Sequence, residues 1–210
     1  MTDLLIIFAL GFLPAVVLHE YAHGWMANRC GDPTAKQLGR LTLNPLAHVD
    51  PIGTVGLPLL LLAINLSGMM HVPLFAWAKP VPVNPFNFRD QKWGTLKVSI
   101  AGPLTNFSLA LLFGLIIRFF PLPEPALILF SIIVIYNFAW GIFNLIPIPP
   151  FDGSHIVFTF LGDRFLKLKM FLSQYGLFIL IFFIFFGGLK FVFSAAYLLF
   201  YLISGHVFAI

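Results

Sequence analysis

The pentapeptide His19-Glu20-Tyr21-Ala22-His23 sets two imidazoles four residues apart, with a carboxylate beside the first. On a helix that spacing turns both imidazoles to one face. Tetrahedral zinc accepts two such nitrogens and lowers the pKa of a bound water to about 7. A neighbouring carboxylate that is not itself a ligand can take the proton during attack on a carbonyl, and Glu20 stands in that position. With 6 His and two Glu in 210 residues, random placement yields this pattern in about 0.2% of chains, so accident is a poor account of it.

A catalytic zinc takes three protein ligands and keeps the fourth position for water, so a further nitrogen or oxygen donor is required. Asp152 is the candidate. It follows Asn144-Leu145-Ile146-Pro147-Ile148-Pro149-Pro150-Phe151, where three prolines within four residues stop a helix after Ile146 and force extended or turning backbone. Gly153 then permits a turn. The competing reading makes Asp152 the cap of a helix that begins near Gly153.

The elements that carry these residues are unusually apolar. Hydrophobic residues make up 60% of the chain and charged ones 10%, and the mean hydropathy is +0.96, a balance foreign to soluble globular domains. Apolar runs of membrane-spanning length cover 4–27, 51–72, 96–117, 126–148, 171–186 and 191–210. The first begins after Thr2 and Asp3 without a basic stretch and is longer than a signal's apolar region, so it is expected to be retained. It holds the His-Glu-His cluster, and each ionisable group at mid-bilayer costs roughly 2.5 kcal/mol or more, which argues again for a function.

The fold class expected is an all-α integral membrane protein. It is a polytopic bundle of about five to six transmembrane helices, with a re-entrant or extended segment around 51–95. Residues 1–210 read as a single domain, with metal-bearing spans at 4–28, 96–118 and 126–153 and C-terminal spans at 171–210. The net charge of +4 is scattered over loops, so no nucleic-acid partner is expected. Cys30 is the only cysteine, which excludes an internal disulfide and a thiolate-rich zinc site.

Charge counting orients the bundle. If 51–97 leaves and re-enters one membrane face, ten of the 12 Lys and Arg residues share one side and only Arg118 and Lys190 lie opposite. If 51–72 spans without a return, the split is seven against five. The positive-inside rule prefers the first arrangement, with the charged face cytoplasmic. In that arrangement the C-terminal parts of the first span and of 126–148 approach the same face, so His19, His23 and Asp152 can meet.

These motifs resemble those of the site-2 proteases, zinc-dependent intramembrane proteases. The resemblance rests on His19-Glu20-Tyr21-Ala22-His23, on Ala101-Gly102-Pro103-Leu104-Thr105-Asn106, and on Asn144 through Asp152-Gly153. It is closest to the compact members without a PDZ or CBS domain, as Gly39-Arg40-Leu41-Thr42-Leu43-Asn44-Pro45, followed by His48 and Asp50-Pro51, also suggests. The resemblance implies one Zn2+ per chain held by His19, His23 and Asp152, with Glu20 as general base. Asn106 and Asn144 become polar residues of the active-site region that support substrate or the transition state. It also implies a multi-pass protein of the cell membrane, in contact with lipid, whose active site lies nearer the cytoplasmic face and whose substrates are transmembrane proteins.

A helical substrate hides its carbonyls and must be unwound locally. Residues 77–85 carry Pro80, Pro82 and Pro85 in an alternating pattern suited to an edge strand, so this stretch is expected to offer its backbone to an extended substrate; a proline-stiffened loop is the alternative. Gly102 is read as a packing glycine, and Pro14 as a kink above the motif. His48, Asp50, His71, His155 and His206 lack motif spacing and receive no ligand role. Two rival functions stand beside the protease: a metal-binding transporter and an inactive scaffold that binds transmembrane helices. Transport would need polar groups distributed along a path, whereas this chain has one compact cluster with a base beside it.

Overall fold

The structure, a computed structural model, describes residues 8–68 and 77–207. Residues 4–7 of the first expected span, 69–76 within the segment expected to re-enter, which include His71, and 208–210 of the last run lie outside the described residues. Among the described residues the fold is all-helical, as the composition and hydrophobic runs require.

The main helices are α1 (Leu13–Cys30), α2 (Leu57–Leu66), α3 (Gln91–Phe119), α4 (Glu124–Asn144), α5 (Asp152–Phe160), α6 (Leu166–Phe185) and α7 (Gly188–Ser204). Three of the described helices, α3, α4 and α6, are long and apolar enough to cross a membrane; Pro51–Leu66 and α7 are apolar but shorter. Ahead of α1 a π-wound turn, Phe8–Phe12, leads into Leu13 and Pro14. Pro14 brings no N–H, so regular winding is interrupted on its N-terminal side.

Helix α3 is the centre of the bundle. It packs along α4, α1, α5 and α7, and it begins at Gln91, five residues before the expected apolar run, because Asp90 caps it by accepting from the Trp93 N–H at 3.0 Å. Small residues let the helices approach closely: Ala110, Ala139 and Ala196 are fully or nearly fully buried in one cluster with Val134, Ile135, Phe138 and Phe200. Between helices in lipid such close van der Waals packing replaces the hydrophobic driving force. Arg118 closes the far end of α7 by donating to the carbonyls of Leu202 and Ile203 at 3.1 and 3.2 Å.

Helix α4 ends at Asn144, two residues before the expected stop. The proline-rich turn that follows delivers Asp152 to the first position of α5. Residues 77–84 run without helix and without a strand partner, so the alternating prolines give an extended strap rather than a ladder. Helix α6 is the least buried of the three long helices. It nevertheless touches the proline turn closely: a Cβ on Gly176 would stand 2.3 Å from the Pro149 carbonyl oxygen.

Candidate metal centre

Helix α1 turns His19 and His23 to one face, both buried, and α5 brings Asp152 to them from the other end of the chain. The Nε2 atoms of the two histidines lie 2.9 Å apart, and Asp152 Oδ2 lies 3.1 Å from that of His19 and 3.2 Å from that of His23. Asp152 does not cap α5; the capping position belongs to Phe151, and no side-chain cap bond is made there.

The opposite ring nitrogens fix what these atoms can do. His23 Nδ1 donates to the Val98 carbonyl at 2.7 Å, and His19 Nδ1 donates to Asn106 Oδ1 at 2.7 Å. The orientation of Asn106 follows from its other contacts, since its Nδ2 donates to the Ala15 carbonyl and to Asn137 Oδ1, each at 2.9 Å. Asn137 is fixed in turn by donating to the Ile133 carbonyl at 2.9 Å. Neutral imidazoles that donate through Nδ1 present bare lone pairs at Nε2. Three acceptors therefore face one another, and Asp152 Oδ2 is buried without a hydrogen-bond donor. Three converging lone pairs repel unless a cation lies among them.

Size fits the same conclusion. Zinc bonds of about 2.0–2.1 Å at tetrahedral angles separate neighbouring ligands by ~3.3 Å, close to the 2.9, 3.1 and 3.2 Å edges of this triangle. Space is kept for an ion by Gly102. A Cβ there would stand 2.5 Å from His23 Nε2 and 2.7 Å from His19 Nε2, close to where a metal would sit. The close approach that Gly102 allows is thus to the two histidines.

Glu20 stands apart from the triangle. Its Oε2 accepts the Val81 N–H at 2.7 Å, which ties the strap to the motif helix. The strap has further anchors: the Trp77 and Lys79 N–H groups donate to the carbonyls of Gly53 and His48 at 3.1 and 2.9 Å, and the Thr54 hydroxyl donates to the Trp77 carbonyl at 2.8 Å. Arg40 donates to the carbonyls of Lys79 and Pro80 at 3.0 and 3.3 Å, and the buried Asp32 accepts the Asn84 N–H at 2.7 Å and the Asn87 amide at 2.8 Å. Burial pushes the Asp32 carboxyl upward, but the hydrogen bonds from Thr34, Asn84 and Asn87 outweigh it and hold the group below the usual carboxylate range.

Both asparagines singled out in the sequence are buried. Asn106, expected to support substrate or transition state, is fully buried and has both amide hydrogens committed, so its amide turns toward His19 and the neighbouring helices. Asn144 donates to the Trp140 carbonyl one turn back at 2.9 Å and is also buried. Asn137 went unread in the sequence; the available signal was an amide within an apolar span. Gly153 also has a different reason from the one expected. It lies inside α5, is not among the glycines with positive φ, and a Cβ would meet the Leu145 carbonyl oxygen at 2.2 Å. Close approach to the end of α4, not turn conformation, requires it.

The family model of peptidase family M50 matches residues 124–187, which hold α4, the proline turn and Asp152. Among curated proteins the chain is 38% identical over 149 residues to "Putative zinc metalloprotease YwhC" of Bacillus subtilis, covering 67% of this chain and 62% of that one. It is 33% identical over 150 residues to "Putative zinc metalloprotease Rip2" of Mycolicibacterium smegmatis, covering 68% and 52%. It is 27% identical over 164 residues to "Zinc metalloprotease MJ0392" of Methanocaldococcus jannaschii, covering 78% and 37%. The chain thus spans less than two thirds of the length of these relatives. No solved structure matches it significantly. A family match that runs through the third donor of the triangle, and relatives aligned over most of the chain, agree with the motif order: the chain belongs to peptidase family M50, the site-2 protease family.

Proposed function

We propose that this chain is a zinc-dependent endopeptidase that hydrolyses peptide bonds in or near transmembrane segments of other membrane proteins. The observation that carries the reading is the triangle of three acceptor atoms, His19 Nε2, His23 Nε2 and Asp152 Oδ2, with an uncoordinated carboxylate on the residue next to His19. Relatives named as zinc metalloproteases support the choice of metal.

His19, His23 and Asp152 would hold one zinc, and zinc bound there supplies a Lewis acid for the substrate carbonyl and an acidified water. Glu20 takes the proton of the attacking water and passes it to the leaving amine. The Val81 N–H holds Oε2 of that carboxylate and leaves Oε1 to work. Asn106, backed by Asn137, keeps the His19 proton on Nδ1, and the Val98 carbonyl does the same for His23, so both Nε2 lone pairs stay directed at the metal. Asn106 is in this reading a positioning residue. Asn144 is assigned to the wall of the site, with its oxygen as the atom that can meet substrate. The strap at 77–84 supports an extended peptide beside Glu20, as its backbone is already extended and proline-stiffened. The cluster is compact and carries a base, which favours hydrolysis over metal transport. Lipid surrounds the bundle, and the active site is assigned to the cytoplasmic half of a multi-pass protein of the cell membrane.

The test is cleavage of a panel of transmembrane peptides in detergent by wild type and Glu20→Gln, with zinc measured on both. About one zinc per chain on each protein and cutting by the wild type alone is the expected result. Undiminished cutting by Glu20→Gln would overturn the mechanism, and absence of zinc from both would overturn the metal assignment.

A further inference from the structure

A second site lies away from the donor triangle. A cavity of about 430 Å³ opens between the first turns of α3, the C-terminal part of α5 and the start of α6. Lys92 and Lys169 reach it from α3 and α6, and His155 lines it from α5. No carboxylate is among its lining residues. The nearest acid in sequence at that end of α3, Asp90, is engaged in capping the Trp93 N–H.

The lining discriminates by charge and by hydrogen bonding. The Thr95 and Thr159 hydroxyls already donate to the carbonyls of Gln91 and His155, at 2.6 and 2.7 Å, so only their acceptor lone pairs remain. Donors come from the two ammonium groups and the imidazole. This is a set that receives an oxyanion.

The surroundings say where the oxyanion comes from. Two of the helices able to cross a membrane, α3 and α6, both start at this cavity, so it lies where spans meet headgroups. Its rim is aromatic and greasy: Trp93 and Phe160 meet edge to face with centroids 6.4 Å apart, and both are exposed, Phe160 to 64%. Trp and Lys at this level match the interfacial belt. A soluble anion has no use for that apolar rim, whereas acyl chains do.

We propose that this cavity is a binding site for the phosphodiester headgroup of an anionic phospholipid, held by Lys92, Lys169 and His155 with its acyl chains against Phe160 and Trp93. Basic cavities between spans are known physical traps for such headgroups. Since His155 sits one turn after Asp152, an occupied cavity would also steady the helix that carries the third donor.

The test uses the full chain in nanodiscs of mixed phosphatidylglycerol and phosphatidylcholine, with retained lipid counted by native mass spectrometry after transfer to detergent. Wild type is expected to keep phosphatidylglycerol in preference to phosphatidylcholine. Lys92→Gln with Lys169→Gln should lower that retention about tenfold, and Lys92→Arg with Lys169→Arg should preserve it. Each variant's melting temperature is measured alongside, and if the double Gln variant does not fold, the single variants replace it. In a second arm soluble glycerol phosphate competes with the lipid. Failure of millimolar glycerol phosphate to displace it assigns the site to lipid, and complete displacement overturns that assignment in favour of a free phosphate ester. Equal retention of the two lipids by wild type, or unchanged retention in the double Gln variant, overturns the proposal.

Discussion

The Glu20 carboxylate and the Val81 N–H are joined by a 2.7 Å hydrogen bond, although 61 residues separate them. Pro80 and Pro82 flank Val81 and have no N–H, so the strap offers Glu20 a single donor at this point. Val81→Pro removes that donor while suiting the extended backbone. Turnover is expected to fall roughly ten- to hundredfold through loss of alignment, with zinc content unchanged. Peptide cleavage paired with metal analysis checks it, and wild-type turnover in Val81→Pro would sink the role given to the strap.

Gly102→Ala places a methyl group 2.5 and 2.7 Å from the two Nε2 atoms. The bound zinc should drop from about one per chain to near zero, with circular dichroism still reporting a helical protein. A variant that keeps full zinc would mean that the space beside Gly102 is not where the ion sits.

Asn106→Ala strips His19 of the acceptor that fixes its tautomer and leaves a buried Nδ1–H without a partner, at a cost of about 1–3 kcal/mol. Zinc affinity should weaken roughly 10- to 100-fold. Asn137→Ala acts only through Asn106 and should weaken it less. Competition with a fluorescent zinc chelator measures both. A larger loss in Asn137→Ala than in Asn106→Ala would reverse the proposed order of the relay.

Asp32 links acid sensitivity to the strap. Its folded-state carboxyl lies below its unfolded value of about 3.9, so its contribution is fully present above that pH and is lost as pH falls through the folded value. Asp32→Asn should therefore melt below wild type at pH 7, and the gap should shrink as the buffer is taken toward pH 3. Melting curves in detergent at the two pH values provide the check; a gap that widens on acidification contradicts it.

Much of the centre can be read in the residue types. His19 and His23 share a face because a helix brings residues four apart into line, and Asp152 is marked by the prolines that halt α4 before it. Asn137 is not marked in this way, since one amide within an apolar run has no local pattern and finds its partner only when α3 packs on α4. The contact at Val81 is hidden for another reason: a backbone donor has no residue signature. Gly153 was legible as special but not why, because its neighbours, the carbonyls that close α4, are close only in the folded chain.

The prolines of the strap have one more effect. Of the residues 80–85, only Val81, Val83 and Asn84 keep an N–H, and two of those three are consumed by Glu20 and Asp32. Among the described residues of this stretch, Val83 alone keeps an N–H without an acceptor. A segment with one donor to give cannot template a continuous ladder between copies of the protein. The strap beside Glu20 is thereby a poor template for self-association, even when neighbouring molecules crowd the same membrane.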